Sequence, residues 1–203
     1  MRFTIGYIEH NKEIFDKYLG PSLLKLNGDF EIIKTSDKKV PAINYNHIIS
    51  ESKNRFVILT HQDISFSETL LERIELTINQ NPNFGVLGLV GVDNNKKYYW
   101  SDLNQQYELQ TLDCCFIVID KNNNVFFDNN TFDDFHLYVE DFCLQTKKTT
   151  GKSPYTILIT KNSKNPHHLC HHSATLRKLG SRWGKYNQYK QRLIKKWGDV
   201  KTT

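Results

Sequence analysis

The stretch RFVILTHQDISF, Arg55–Phe66, joins an apolar run to three polar residues, and the fold can be inferred from this pattern. Its first part, residues 56–60, is apolar and rich in β-branched side chains without polar alternation, which predicts a strand buried on both faces of a sheet. Three polar residues, His61, Gln62 and Asp63, follow directly. Ligands of open α/β sheets bind at the carboxyl ends of strands, so this triplet marks a candidate site.

Six apolar segments predict strands, and segments of helical length separate several of them. In chain order they are FTIGYI, FEIIK, FVILT, GVLGLVGV, CFIVI and YTILIT. Between Glu68 and Gln80, apolar residues recur with helical spacing directly after the HQD triplet. The alternation predicts an α/β fold with a mainly parallel central sheet flanked by helices. Because no Pro/Gly/Ser-rich linker divides the 203 residues, we expect a single domain spanning 1–203.

Composition argues against several classes of protein. The apolar runs are far shorter than a bilayer requires, and the first 15 residues, MRFTIGYIEHNKEIF, lack the apolar region of a secretory signal. We therefore expect a cytoplasmic protein. Its four cysteines include no CxxC pair, which is typical of buried thiols in a reducing compartment.

The net charge of +5 is concentrated near the C-terminal end, where nine of the 27 Lys and Arg residues lie between Arg177 and Lys201. The segment KYNQYKQRLIKKW predicts a basic amphipathic helix at about 185–198. Its apolar face could dock on the domain or, alternatively, on an anionic membrane surface as a peripheral contact. A nucleic-acid binder is a weaker alternative, because the charge is modest and no recognised nucleic-acid motif is present. We expect no nucleic-acid partner.

Asp63 is a candidate ligand for a divalent cation. Mg²⁺ and Mn²⁺ sites commonly use one or two carboxylates together with the phosphates of a substrate, so one well-placed Asp is enough. The alternative is that Asp63 only caps the following turn.

The segment PAINYNHIISESKNRFVILTHQDISF resembles the part of inverting GT-A glycosyltransferases that contains an Asn-bearing helix, a Lys before a strand and a DxD-type metal motif. FGVLGLVGV, TLDCCFIVID, FDDFHLYVEDFCLQTKKTTG and HHLCHHS follow in the order seen in the bacterial and viral family-2-like, "glycosyltransferase-like" relatives of that superfamily. The resemblance covers about residues 40–173. Each motif is short, so their joint order carries the specificity.

The resemblance implies a GT-A (Rossmann-like) fold. It also implies transfer of a sugar from a nucleotide-diphosphate sugar, such as a UDP-sugar, to a hydroxyl of a glycan, polysaccharide or lipid-linked acceptor in glycan biosynthesis. The implied cofactor is Mn²⁺ or Mg²⁺, held by Asp63 and a late His, with His171 as the first choice and His172 as the second. A structural zinc site in HHLCHHS is the alternative, but it lacks a second Cys pair.

Further residues are candidates for binding the nucleotide sugar or the acceptor. Most follow from the resemblance, whereas an aromatic residue of the YYW run is a candidate platform for a sugar ring, although strand aromatics more often pack. The set comprises Asn46, Lys53, His61, Gln62, Asp113 and Trp100.

The sequence departs from the family pattern at the catalytic base. Relatives read FHFYDVDFCL where this chain reads FHLYVEDFCL, so Val139 stands at the position of the expected Asp. An inverting transfer needs a carboxylate to remove the acceptor proton, an effect of about 10² to 10⁴ in rate. We expect Asp141 as the base and Glu140 as the second choice. Asp141 could instead be a helix cap, and a lost base would leave a non-catalytic nucleotide-sugar-binding protein.

Overall fold

The computed structural model describes residues 1–36, 40–94, 96–98, 105–158, 170–172 and 183–203. The strands in these ranges are β1 Arg2–Glu9, β2 Asp29–Ser36, β3 Phe56–Thr60, β4 Ile64–Phe66, β5 Val86–Gly88, β6 Gly91–Val92, β7 Lys97–Tyr98, β8 Thr111–Leu112, β9 Phe116–Asp120, β10 Pro154–Thr156 and β11 Cys170–His172. The helices are α1 Lys12–Lys17, α2 Leu19–Lys25, α3 Pro41–Glu51, α4 Leu70–Gln80, α5 Tyr138–Thr150 and α6 Trp183–Trp197.

The central sheet has six strands in the order β10-β5-β9-β3-β1-β2. Strand β1 runs parallel to β2 and β3, and β10 runs parallel to β5, whereas β9 is antiparallel to both of its neighbours. The predicted α/β fold with a mainly parallel sheet is confirmed.

Strand β3 explains why its sequence does not alternate. All five of its residues are buried, and the four apolar side chains enter two apolar clusters on opposite faces of the sheet. Phe56 and Ile58 pack in the cluster that contains α4, while Val57 and Leu59 pack in the cluster that contains α3 and α5. A strand covered on both faces has no exposed side that would need polar residues.

Two of the six apolar segments form shorter strands than their sequence suggests. GVLGLVGV divides into β5, in the central sheet, and β6, which pairs with β7 and β8 in a second sheet. YTILIT contributes only its first two residues to β10, and residues 159–160 lie outside the described ranges.

Helix α6 packs against the domain through its apolar face. Tyr189 and Leu193 are buried within the cluster that contains α3 and α5. Its cations pair with acidic residues before and within α5: Lys185 with Asp134, Arg192 with Asp133, and Lys196 with Asp128 and Asp141. Among the described residues, no helix combines the length and the apolar character that a bilayer crossing requires.

Candidate active site

The antiparallel direction of β9 builds the candidate site. Thr60, the last residue of β3, pairs with Phe116, the first residue of β9, so the segment before β9 lies beside the HQD triplet. The backbone N–H of His61 donates to the carbonyl of Cys115 at 3.0 Å. Residues 61–63 and 113–115 therefore share one edge of the sheet although about fifty positions separate them in the chain.

Gln62 fastens the loop that follows β1. Its Oε1 accepts hydrogen bonds from the backbone N–H groups of His10 at 3.0 Å and Asn11 at 3.2 Å, and its Nε2 lies 3.1 Å from His10 Nε2. Asn11 in turn caps α1 through its side chain. The buried Gln62 amide thus fixes the entry to α1 at the site edge.

Asp63 lies beside His61 in the same buried environment. The Asp63 Oδ1 atom is 4.0 Å from His61 Nδ1, and both side chains are less than 10% exposed. On its other side, His61 Nε2 lies 3.5 Å from the hydroxyl of Tyr138, and its ring is 5.8 Å from that of Phe135. His61 therefore connects the end of β3 with the start of α5.

Strand β11 brings two predicted histidines to the same edge. It pairs antiparallel with β4, which places His171 opposite Ser65 and His172 opposite Ile64, the residue after Asp63. The structure describes the backbone of these residues, and the register makes His172 the nearer to Asp63. Within the described ranges, no three His, Cys, Asp or Glu side chains are grouped as a complete metal cage.

Helix α5 begins at an unusual backbone conformation. Leu137 has φ +61°, in the left-handed region that bulky residues rarely adopt. Its carbonyl accepts the first helical bond, from the N–H of Asp141 at 3.1 Å. The next residue, Tyr138, is buried, and burial, followed by the nearby Cys114 thiol, raises the pKa of its hydroxyl well above the usual value. Backbone strain of the kind seen at Leu137 is often found at functional sites.

Glu140 faces the segment before β9. It is 4% exposed, and burial, followed by the nearby Asp113 carboxylate, raises the pKa of Glu140 to about 8. A hydrogen bond from Thr203 Oγ1 to Glu140 Oε1 at 3.0 Å and the charge of Lys97 reduce that rise. With a pKa of about 8, the Glu140 carboxyl group can gain or lose its proton near neutral pH.

Asp141 faces a different direction, toward α6. It is fully buried, Lys196 Nζ lies 2.8 Å from its Oδ1, and the Trp197 indole donates to the same oxygen at 2.6 Å. Burial raises the pKa of Asp141, and these two contacts partly offset the effect. Both of its oxygens also receive α6 donors, since Lys196 Nζ lies 3.1 Å from Oδ2.

The other predicted contacts divide between the site and the rest of the fold. Asp113 lies at the site, where its Oδ1 accepts from the N–H of Cys115 at 2.8 Å. The Asn46 amide is engaged in two hydrogen bonds with the backbone of Phe127, at 2.9 and 2.8 Å. Lys53 is exposed and precedes β3, so it lies at the opposite end of that strand from Asp63. Trp100 lies outside the described residues.

Sequence reasoning missed several buried residues at this edge. Tyr45 and Tyr138 are both buried, and their rings are 5.9 Å apart. Thr203, which is only partly buried, was also missed.

No family model and no curated protein matches the sequence of this chain. Solved structures do match. The mannosyltransferase PcManGT from Pyrobaculum calidifontis, in complex with GDP-Man and Mn²⁺, has a TM-score of 0.63 at 9% identity and covers 100% of this chain and 66% of its own. GalNAc-T7 with UDP, GalNAc and Mn²⁺ has a TM-score of 0.59 at 8% identity and covers 85% of this chain and 44% of its own.

S. aureus TarS 1-349 in complex with UDP-GlcNAc has a TM-score of 0.53 at 16% identity and covers 79% of this chain. This chain spans 56% of that TarS fragment and 37% of the longer TarS structure. The similarities establish the class of fold: the chain has the GT-A fold found in nucleotide-sugar glycosyltransferases.

Proposed function

We propose that this protein is a metal-dependent, inverting glycosyltransferase that moves a sugar from a nucleotide-diphosphate sugar to a hydroxyl acceptor. The observation that carries the proposal is that Asp63 and Glu140, both buried, lie at the edge where β3 ends and β9 begins. One carboxylate serves the leaving group and the other serves the acceptor. The GT-A fold supports this division of roles.

Asp63 is the proposed metal carboxylate. An oxygen ligand suits Mn²⁺ or Mg²⁺, and the phosphates of the donor would complete the shell. The register of β11 supports His172, or His171, as a further ligand. When bound, the metal supplies positive charge to the departing diphosphate. His61 and Gln62 orient this edge, Gln62 by fixing the loop after β1.

Glu140 is the proposed general base. A base is most effective when its pKa lies near the working pH, and burial together with Asp113 moves the pKa of Glu140 there. Its carboxylate removes the acceptor proton while the hydroxyl oxygen attacks the anomeric carbon. The nucleotide diphosphate leaves from the opposite side, which inverts the configuration.

Asp141, the first choice from sequence, remains a candidate, but its contacts with Lys196 and Trp197 support a structural role. Val139 is fully buried in the apolar cluster and cannot act on an acceptor. The presence of Val139 where relatives carry Asp also favours the second candidate function, a non-catalytic nucleotide-sugar-binding protein. Turnover of the donor separates the two functions, because a binding protein holds the nucleotide sugar without releasing nucleotide diphosphate.

The acceptor is proposed to be a glycan, a polysaccharide or a lipid-linked hydroxyl, selected by the region between Asp93 and Gln110. Lys97 in this region is close enough to affect Glu140 electrostatically. Any peripheral membrane contact would use a surface other than the apolar face of α6, since that face is covered by the domain.

The test is calorimetric titration of UDP-GlcNAc, GDP-Man and other UDP-, GDP- and dTDP-sugars, with Mn²⁺ and with chelator. One donor is expected to bind in a metal-dependent manner. Asp63→Asn should weaken that binding about tenfold to a hundredfold, the value of one charge-assisted contact. Asp29→Asn, at an exposed carboxylate that begins β2, is the matched control. Metal-independent binding that Asp63→Asn leaves intact would contradict the metal role, and a product with retained configuration would contradict inversion.

A further inference from the structure

The segment Gly198–Thr203 follows α6 and lies along the candidate site. Val200 is buried in the cluster that contains α3 and α5. Thr111 Oγ1 in β8 donates to the carbonyl of Lys201 at 2.9 Å, and the N–H of Lys201 donates to Gln110 Oε1 at 2.8 Å. The segment is therefore held by burial of the Val200 side chain and by hydrogen bonds to the backbone of Lys201.

The two threonines at the end of this segment have different partners. Thr202 Oγ1 lies 2.8 Å from the hydroxyl of Tyr186 in α6. Thr203 Oγ1 instead donates to Glu140 Oε1 at 3.0 Å. A hydroxyl that donates to the carboxylate of a general base is the arrangement that an acceptor must take before transfer. Thr203 occupies that arrangement within the same chain.

We propose that Thr203 is an intramolecular acceptor, to which this protein transfers one sugar from its nucleotide-diphosphate donor. The proposal rests on the proposed function, with Glu140 as the base. Glu140 takes the proton from Thr203 Oγ1, and that oxygen forms a bond to the anomeric carbon. The bond between this carbon and the β-phosphate oxygen breaks, and its electron pair leaves with the nucleotide diphosphate.

A single modification per chain follows from the geometry. Once Thr203 Oγ1 is bonded to the sugar, it has no proton left to donate to Glu140. The Thr202 hydroxyl is directed to Tyr186 and is not in the acceptor position. The product is therefore expected to carry one glycosyl residue, at one site, unless the new sugar is itself extended.

The experiment incubates the full chain with Mn²⁺ and each nucleotide sugar of the panel, and reads the mass of the intact protein followed by peptide mapping. We expect a gain of one glycosyl residue on Thr203. Thr203→Val should abolish the gain, whereas the matched control Thr202→Val should retain it. Thermal unfolding of both variants establishes that they are folded. Glu140→Gln should also abolish the gain.

Donor binding and nucleotide diphosphate release are followed in the same samples. If donor is bound and turned over on water or an added acceptor while Thr203 stays unmodified, the inference is overturned and the proposed function stands. Sugar on another residue, or transfer that persists in Glu140→Gln, overturns it as well. If no nucleotide sugar binds with or without Mn²⁺, the proposed function has failed and the inference fails with it.

Discussion

Glu140 and Asp141 are neighbours in the first turn of α5, yet they belong to two different regions of the molecule. Glu140 faces the site edge, where Asp113 carries a like charge and a hydroxyl is its hydrogen-bond donor. Asp141 faces α6, where Lys196 and Trp197 contact it directly. Burial alone therefore does not identify a catalytic acid. An opposite charge beside a buried carboxylate offsets the rise in pKa that burial causes, whereas a like charge adds to that rise.

Glu140→Gln is expected to have the largest effect, a loss of activity that Asp141 substitutions should not share. Glu140→Gln should reduce the rate of nucleotide diphosphate release by about 10² to 10⁴, because the amide cannot accept the acceptor proton. Donor affinity should stay unchanged in calorimetry, since the side chain keeps its size. Turnover close to that of the unsubstituted protein would show that the base lies elsewhere.

Asp141→Asn tests the other region by stability. Removing one partner of a buried ion pair costs roughly 3 to 5 kcal/mol, and we expect about 3 kcal/mol in the free energy of unfolding because Lys196 keeps Asp128. Urea denaturation measures the loss. Asp133→Asn breaks the exposed pair with Arg192 and is the control, with an expected loss below about 1 kcal/mol. If Asp141→Asn instead keeps the free energy of unfolding of the unsubstituted protein but loses turnover, Asp141 is the base.

The raised pKa of Glu140 predicts how the free energy of unfolding depends on pH. Its ordinary pKa is 4.5 and its pKa in the folded protein is about 8, so the stabilising contribution of the protonated form is complete below pH 4.5. This contribution to the free energy of unfolding falls as the pH rises toward about 8, because the unfolded chain releases the proton at a lower pH than the folded protein does. Glu140 interacts electrostatically with Asp113, Lys97, Cys114, Cys143 and Tyr186, and Thr203 donates a hydrogen bond to it.

The measurement compares the free energy of unfolding of the unsubstituted protein with that of Glu140→Gln from about pH 4 to about pH 9. The variant should gain relative stability as pH rises. Over the same range, kcat/KM should increase with pH as Glu140 ionises. A difference that stays flat would mean that Glu140 does not titrate in this window.

The smallest expected effect is that of Lys53→Ala. Lys53 lies at the amino end of β3, and a strand rises about 3.3 Å per residue, so the side chain is remote from Asp63. Surface changes of this kind fall within about 0.5 kcal/mol, which corresponds to about twofold in donor affinity. A tenfold change in calorimetry would place part of the donor site at the amino edge.

The sequence was sufficient to predict the sheet and the position of the HQD triplet, because an apolar run ending in polar residues reflects burial and strand direction together. The direction of β3 alone would also have placed Lys53 at the other edge. Which of Glu140 and Asp141 faces the site could not be predicted. Adjacent helical residues point about 100° apart, and the direction depends on the Leu137 conformation and on where α6 packs.

The order of the strands also has a consequence for how the protein folds. The contacts that define the site join residues far apart in the chain, 52 positions for His10 and Gln62 and 63 positions for Glu140 and Thr203. Such contacts close long loops, which slows folding compared with local helix formation. A refolding chain should therefore recover its helical signal before these long-range contacts of the candidate site form.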